Sequence, residues 1–192
     1  MSSSPRLRLL VVYASEDGHT RDMAEHVAEG ARGHADTHVV LRQASRASGK
    51  DLARCDGLLA GTPVHMAGMD WRLKRFIDGC NPVWMDDHLE GKPVGAFATG
   101  GGYGNAGGGC DQALLGVLSA FAAMGMVPVP LPKSMPGYAH GGTPWGPWIR
   151  TETTAMRERA PSPAALKLAA RHGLNVARMM HALAAAKPFA RR

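Results

Sequence analysis

Between Tyr13 and Ala31 the chain reads YASEDGHTRDMAEHVAEGA. The stretch Ser15-Glu16-Asp17-Gly18-His19-Thr20 sets two hydroxyls, a glycine and a histidine where an apolar run gives way to a helical pattern. A loop that leaves a strand and enters a helix points backbone N–H groups and the positive end of the helix dipole at any anion placed there. Ser15 and Thr20 can add hydroxyl hydrogen bonds, and Gly18 lets the backbone approach closely. The missing Gly-Lys-Ser/Thr excludes a Walker A loop, and the missing GxGxxG excludes a dinucleotide fingerprint. A cradle for a phosphate monoester remains, alongside an ordinary strand-to-helix turn with a hydroxyl cap. Glu16 and Asp17 oppose an anion unless they face solvent.

A second loop, Gly61-Thr62-Pro63-Val64-His65-Met66-Ala67-Gly68-Met69-Asp70, begins Gly-Thr-Pro and has Gly68 before the next helix. Such a segment holds Val64, His65 and Met66 in an extended, exposed path where they can flank a flat ring. Taken alone, His65 reads first as a solvated loop histidine. A third loop, Ala98 to Gly109, has seven glycines in twelve positions and includes Thr99, Gly100, Gly101, Gly102, Tyr103 and Gly104. With so little side chain, a ligand can lie directly against backbone N–H groups. A floppy linker is the alternative, but one between a buried strand and a helix of the same domain is poorly motivated. One flat ligand with a phosphate tail satisfies all three loops, and flavin mononucleotide (FMN) has that shape.

The elements that must position these loops follow from periodicity. Leu9 to Tyr13 is a continuous apolar run of strand length, as expected for a strand covered on both faces. Met23, Ala24, Val27, Ala28 and Ala31 then recur at helical spacing, with Gly33 as the stop. Further strands read at Thr37 to Leu41, Gly57 to Gly61 and Pro93 to Thr99. Helices read from about Met69 to Cys80 and along Leu114, Val117, Leu118 and Phe121. This alternation predicts a parallel sheet with helices on both faces. In Val127-Pro128-Val129-Pro130-Leu131 both prolines withdraw donors from the same ladder side, which only an edge strand tolerates. The fold expected is α/β: a three-layer sandwich with a five-stranded parallel sheet in the flavodoxin-like order 2-1-3-4-5. Its ligand crevice lies at the carboxyl ends of strands one and three. Residues 133–162 lack a sustained period and are rich in Gly, Pro and Trp, as loops with a function are. Ser162-Pro163 then starts a terminal helix, predicted over about 163–186.

At 192 residues, with 45% hydrophobic and 20% charged residues, the expectation is a single globular domain spanning 1–192. No apolar run approaches the roughly 18 residues of a membrane span, and the N-terminus lacks a secretory h-region. Cys55, Cys80 and Cys110 show no CxxC spacing, which suits a reducing cytoplasm. The net charge of +6 comes from scattered basic residues without a nucleic-acid motif, and the nine histidines show no metal-binding pattern. Neither nucleic acid, membrane nor metal is expected as a partner.

The chain resembles the flavodoxin-like family, and within it the WrbA-type NAD(P)H:quinone oxidoreductases. Ser15 to Thr20 is similar to that family's Ser-x-x-Gly-His phosphate loop, and Gly61 to Met66 to its isoalloxazine loop. Thr99-Gly100-Gly101-Gly102 is similar to its Thr-Gly-x-Gly segment. Gly141-Gly142-Thr143-Pro144-Trp145-Gly146 resembles its Gly-Gly-Thr-Pro-Tyr-Gly signature, the most specific of these. Trp84 matches a tryptophan on the substrate side of the flavin; it reads equally as a core or surface aromatic. The resemblance implies bound FMN, NADH or NADPH as co-substrate, a quinone acceptor, and a homo-oligomer, dimer or tetramer, whose sites neighbouring subunits complete. It implies two-electron chemistry; the expected reaction is ping-pong, with Trp84 and the Trp145/Trp148 loop stacked on the substrate and His65 offering a proton or hydrogen bond near the ring, so that His65 and Trp84 are the candidate catalytic residues. Two departures stand out. Ala122-Ala123-Met124 replaces a family histidine near a helix end, and His65 stands where an arginine or aromatic contact is expected. A one-electron carrier and a flavin-free binding or scaffold protein are the rival functions.

Overall fold

The computed structural model describes residues 6–102, 107–153, 155 and 157–189. Strand β1 (Leu7–Tyr13) leads into helix α1 (His19–Arg32), β2 (Thr37–Gln43), the short α2 (Gly49–Ala53) and β3 (Gly57–His65). There follow β4 (Gly68–Met69), α3 (Trp71–Asp78), α4 (Asn81–Met85), β5 (Pro93–Gly100) and α5 (Cys110–Ala122). The chain closes with β6 (Val127–Pro128), a 3-10 turn at Tyr138–His140, β7 (Gly142–Thr143), β8 (Gly146–Arg150) and α6 (Pro163–Ala186).

Strands β1, β3 and β5 are apolar through their central residues because successive side chains enter different cores. In β1, Leu10 and Val12 join Leu58, Ala60, Leu73, Val94, Leu114 and Phe121 in one buried cluster. Leu9 and Val11 join Leu59, Phe97, Met23, Val27, Val176 and Met180 in the other. Helices α3 and α5 cover the first face; α1 and α6 cover the second.

Helices α1 and α6 pack backbone against backbone. A Cβ at Gly30 would lie 1.8 Å from Ala170 O, and one at Gly173 only 2.0 Å from Val27 O, so both positions need glycine. The same face of α6 carries Leu168, Ala169, His172, Val176, Ala177 and Met180, all buried, at helical spacing.

The sheet has eight strands, with the path β2-β1-β3-β5-β8-β7, β4 on β3 and β6 on β5. This corrects the expected five-stranded sheet. The place beside β5 is shared: β6 pairs with its start (Pro93↔Val127, Val94↔Pro128), β8 with its end (Ala98↔Trp148, Thr99↔Ile149, Gly100↔Arg150). Val127 and Val129 donate their N–H groups to Lys92 O and Val94 O, so Pro128 and Pro130 face away from the sheet, as their missing donors require. The chain then leaves the sheet and re-enters it as β8, with β7 antiparallel outside. Residues 133–162, which lack periodicity, therefore contain two strands and a 3-10 turn.

His172 is fully buried, and its ring nitrogens make no well-formed hydrogen bond among the described residues. Desolvation pushes its pKa down to about 4, against a lesser opposing pull from the Ala96 backbone. The fold thus prefers the neutral ring. That stability is complete above pH 6.5, the ordinary value, and is lost as pH falls from there towards about 4. Urea melts should show a loss of roughly 3 kcal/mol across that window, and His172→Leu should flatten it.

Candidate functional site

The carboxyl ends of β1, β3 and β5 meet at a cavity of about 120 Å³. It is lined by Ser15, Glu16, Asp17, His19 and Thr20 from the first loop, Pro63, Val64 and His65 from the second, and Thr99, Gly100 and Gly101 from the third. The three loops singled out in the sequence therefore converge.

The first loop has the geometry of an anion cradle. Gly18 stands at the N-cap of α1 with φ 97° and, as a glycine, offers no side-chain cap of its own. Ser15 Oγ accepts from Arg21 N–H at 3.4 Å, and the buried hydroxyls of Thr20 and Thr99 are hydrogen-bonded to each other at 2.7 Å. Glu16 and Asp17 are exposed to solvent and both also line the cavity.

The second loop is a hairpin, not an open segment. β3 runs on to His65 and folds back as β4, with Met66 (φ 47°) and Ala67 (φ 64°) in the left-handed region of the turn. Buried Thr62 braces it: its hydroxyl accepts from Asp70 N–H at 2.8 Å and donates to Pro63 O at 2.7 Å. Met66 is wholly exposed at the tip and does not line the cavity.

His65 sits between two carboxylates. Its Nδ1 is 3.4 Å from Asp70 Oδ2, and its Nε2 is 3.8 Å from Glu16 Oε2. Asp70 is completely buried at the N-cap of α3. It accepts from Arg72 three times: N–H at 2.7 Å, Nε at 2.9 Å and Nη2 at 2.7 Å. Burial alone would raise the Asp70 pKa, but the hydrogen bonds and charge of Arg72 outweigh it and hold the carboxyl below its ordinary value. Arg72 also reaches Ser15 O at 3.4 Å and Glu16 at 3.8 Å, tying the hairpin to the first loop.

The third loop enters the site through Thr99, Gly100 and Gly101. Gly102 does not line the cavity, and Tyr103 and Gly104 lie outside the described residues. Trp148 is partly buried, with its indole nitrogen near Gly100; a Cβ on Gly100 would lie 3.5 Å from it and 3.1 Å from Val64 Cβ. Trp84 lies on α4, 45% exposed, and does not line the cavity. Trp145 is 38% exposed on the hairpin turn between β7 and β8. The three thiols take no part: burial pushes Cys55 and Cys80 up to about 12 and Cys110 to about 11.

Sequence reasoning missed Thr151 and Glu152, which also line the cavity. They directly follow β8, and only the apolar pair Trp148-Ile149 before them hinted at a strand. It also missed the Asp70–Arg72 pair, whose i, i+2 spacing is that of an N-cap and looks structural.

An open α/β sheet with a cavity beyond its strands' carboxyl ends, where the connections diverge to opposite faces, defines the flavodoxin-like class. Residues 41–141 match the NADPH-dependent FMN reductase family. The chain is 30% identical over 201 residues to NAD(P)H dehydrogenase (quinone) 3 of Rhizobium meliloti, covering 92% of this chain and 93% of that protein. It is 36% identical over 121 residues to a flavodoxin of Aquifex aeolicus, covering 62% of this chain and 63% of that protein. The crystal structure of a WrbA-like flavodoxin from Agrobacterium tumefaciens superposes with a TM-score of 0.71 at 26% identity, over 92% of this chain and 98% of that one. The chain belongs to the NADPH-dependent FMN reductase family and is a flavodoxin-like protein of the WrbA type.

The Asp70–Arg72 pair generates a stability prediction. Because the Asp70 pKa is depressed in the fold, its contribution is complete above the ordinary value of 3.8 and is lost as pH falls through the lower folded value. Asp70→Asn should lose about 3 kcal/mol in urea melts at pH 7, because Arg72 is left partly buried without its counter-charge. The gap to the parent protein should narrow at the acid end.

Proposed function

We propose that the protein is an FMN-dependent oxidoreductase that passes two electrons from NADH or NADPH to a quinone or similar acceptor by a ping-pong mechanism. The observation that carries this reading is the convergence of the three loops on one cavity, in a chain of this family. The residues suit the cofactor. The start of α1, with Ser15, His19 and Thr20, would hold the phosphate, while the glycines at 100 and 101 leave room for a flat ring against Val64 and His65.

Bound FMN would supply the electron transfer between nicotinamide and acceptor. The protein's own part is positioning and proton supply. Asp70 and Glu16 flank the His65 ring, so an imidazolium there meets opposite charge on both sides, and the ring can offer a proton or hydrogen bond at the cavity rim. Val64 gives the cavity an apolar wall against which a flat ring would be oriented.

Trp84 serves the reaction only if a neighbouring subunit brings it to the site, and a homo-oligomer, dimer or tetramer, is part of this reading. Supporting it, Met66, Trp71, Trp84 and Met85 are 101%, 64%, 45% and 66% exposed. A reducing, cytoplasmic setting belongs to it as well; the three cysteines are buried and unpaired. No helix among the described residues is long and apolar enough to cross a membrane.

The visible spectrum tests the proposal, recorded with and without FMN and then anaerobically with NADH followed by benzoquinone. Flavin bands should appear, bleach with NADH and return with quinone. A protein that stays colourless in micromolar FMN would sink the reading, and semiquinone accumulation on slow reduction would indicate a one-electron carrier. His65→Ala and Trp84→Ala should each slow quinone reduction by roughly tenfold; unchanged rates would remove them from the mechanism.

A further inference from the structure

The cradle that would suit a phosphate already has carboxylates of the chain's own at it. Beyond β8 the backbone is fixed beside the end of β5: Thr151 N–H donates to Gly100 O at 2.9 Å, and Arg159 N–H to Thr151 O at 2.7 Å. Glu152 pairs with Glu158 in an isolated antiparallel bridge. From that position Glu152 is one of the residues lining the cavity, together with Ser15, His19 and Thr20. It lies so close to Gly101 that a Cβ there would be 1.8 Å from Oε2. Glu158 Oε1 is 3.0 Å from His19 Nε2.

Glu152 differs from the other acidic residues at the site. Glu16 and Asp17 are exposed, and Glu16 is shared by His65 and Arg72, so water and counter-charge screen both. Glu152 Oε2 is buried and has no hydrogen-bond partner among the described residues. A buried carboxylate oxygen without a donor is unfavourable unless something in the site compensates it. What faces this cavity is the positive end of α1 and the His19 ring, the same features that would attract a phosphate.

We infer that Glu152 is an internal competitor for the phosphate seat and thereby a determinant of which flavin the cavity takes. The FMN phosphate enters as the Glu152 carboxylate withdraws, whereas a flavin whose tail ends in a hydroxyl meets no such conflict. This inference rests on the flavin reading above and concerns discrimination among flavins, a property that reading leaves open.

The test titrates FMN and riboflavin separately into the full chain and into Glu152→Gln, following flavin fluorescence. Glu152→Gln should raise FMN affinity roughly tenfold while riboflavin affinity changes by less than about twofold, because only the phosphate meets the carboxylate's charge. Glu152→Ala should shift the FMN-to-riboflavin ratio in the same direction, and thermal melts identify a variant that fails to fold. An unchanged ratio in a folded variant overturns the inference. Equal gains for both flavins overturn it too, since Glu152 would then obstruct the shared ring and ribityl chain. If neither flavin binds the parent protein or the variants, the flavin reading itself fails, a result distinct from both.

Discussion

The structure depends on covering both faces of β1, β3 and β5. Each strand puts alternate side chains into two separate cores, so neither face can be left to water, and helices must lie on both sides. Parallel pairing follows, because each strand-to-strand crossover runs through a helix and returns to the same end. The same constraint places the site. Parallel strands end together, and their carboxyl ends release the three loops into one cavity. On one face the cover is especially close: α1 and α6 meet at Gly30 and Gly173 with no side chain between the backbones. The start of α1, which would bind an anion, is therefore anchored by its far half against the 24-residue helix α6.

Much of this was legible in the sequence, for identifiable reasons. Leu9 to Tyr13 and Pro93 to Thr99 are apolar without interruption, and the helices between such runs show a clean period. The prolines at 128 and 130 marked a sheet edge because a missing N–H is a local property, readable at any position. The return of the chain as β8 was not local. Gly146-Pro147-Trp148-Ile149-Arg150 has the composition of a loop, and its pairing with the end of β5 depends on β6 ending early enough to leave that place open.

The same distinction separates the candidate residues. Ser15, Gly18, His19 and Thr20 share a short stretch whose backbone path follows from a strand, a turn and a helix. Glu152 enters the site only because β8 lies beside the end of β5, and its immediate neighbours in the sequence do not announce that position.

Charge makes the point most sharply. The chain carries a net +6, yet among the described residues its cavity is lined by Glu16, Asp17 and Glu152 and by no lysine or arginine. Net charge describes the far field of a protein; a site is governed by the few groups close to it. Here Arg72 stands just behind the cavity wall, where it neutralises buried Asp70 and reaches towards Glu16 and the backbone of Ser15. One cation therefore couples the hairpin that carries His65 to the loop that carries the anion cradle. It does so without placing a positive side chain inside the cavity, which leaves the backbone of α1 and the His19 ring as the attraction for an anion, and Glu152 as its rival.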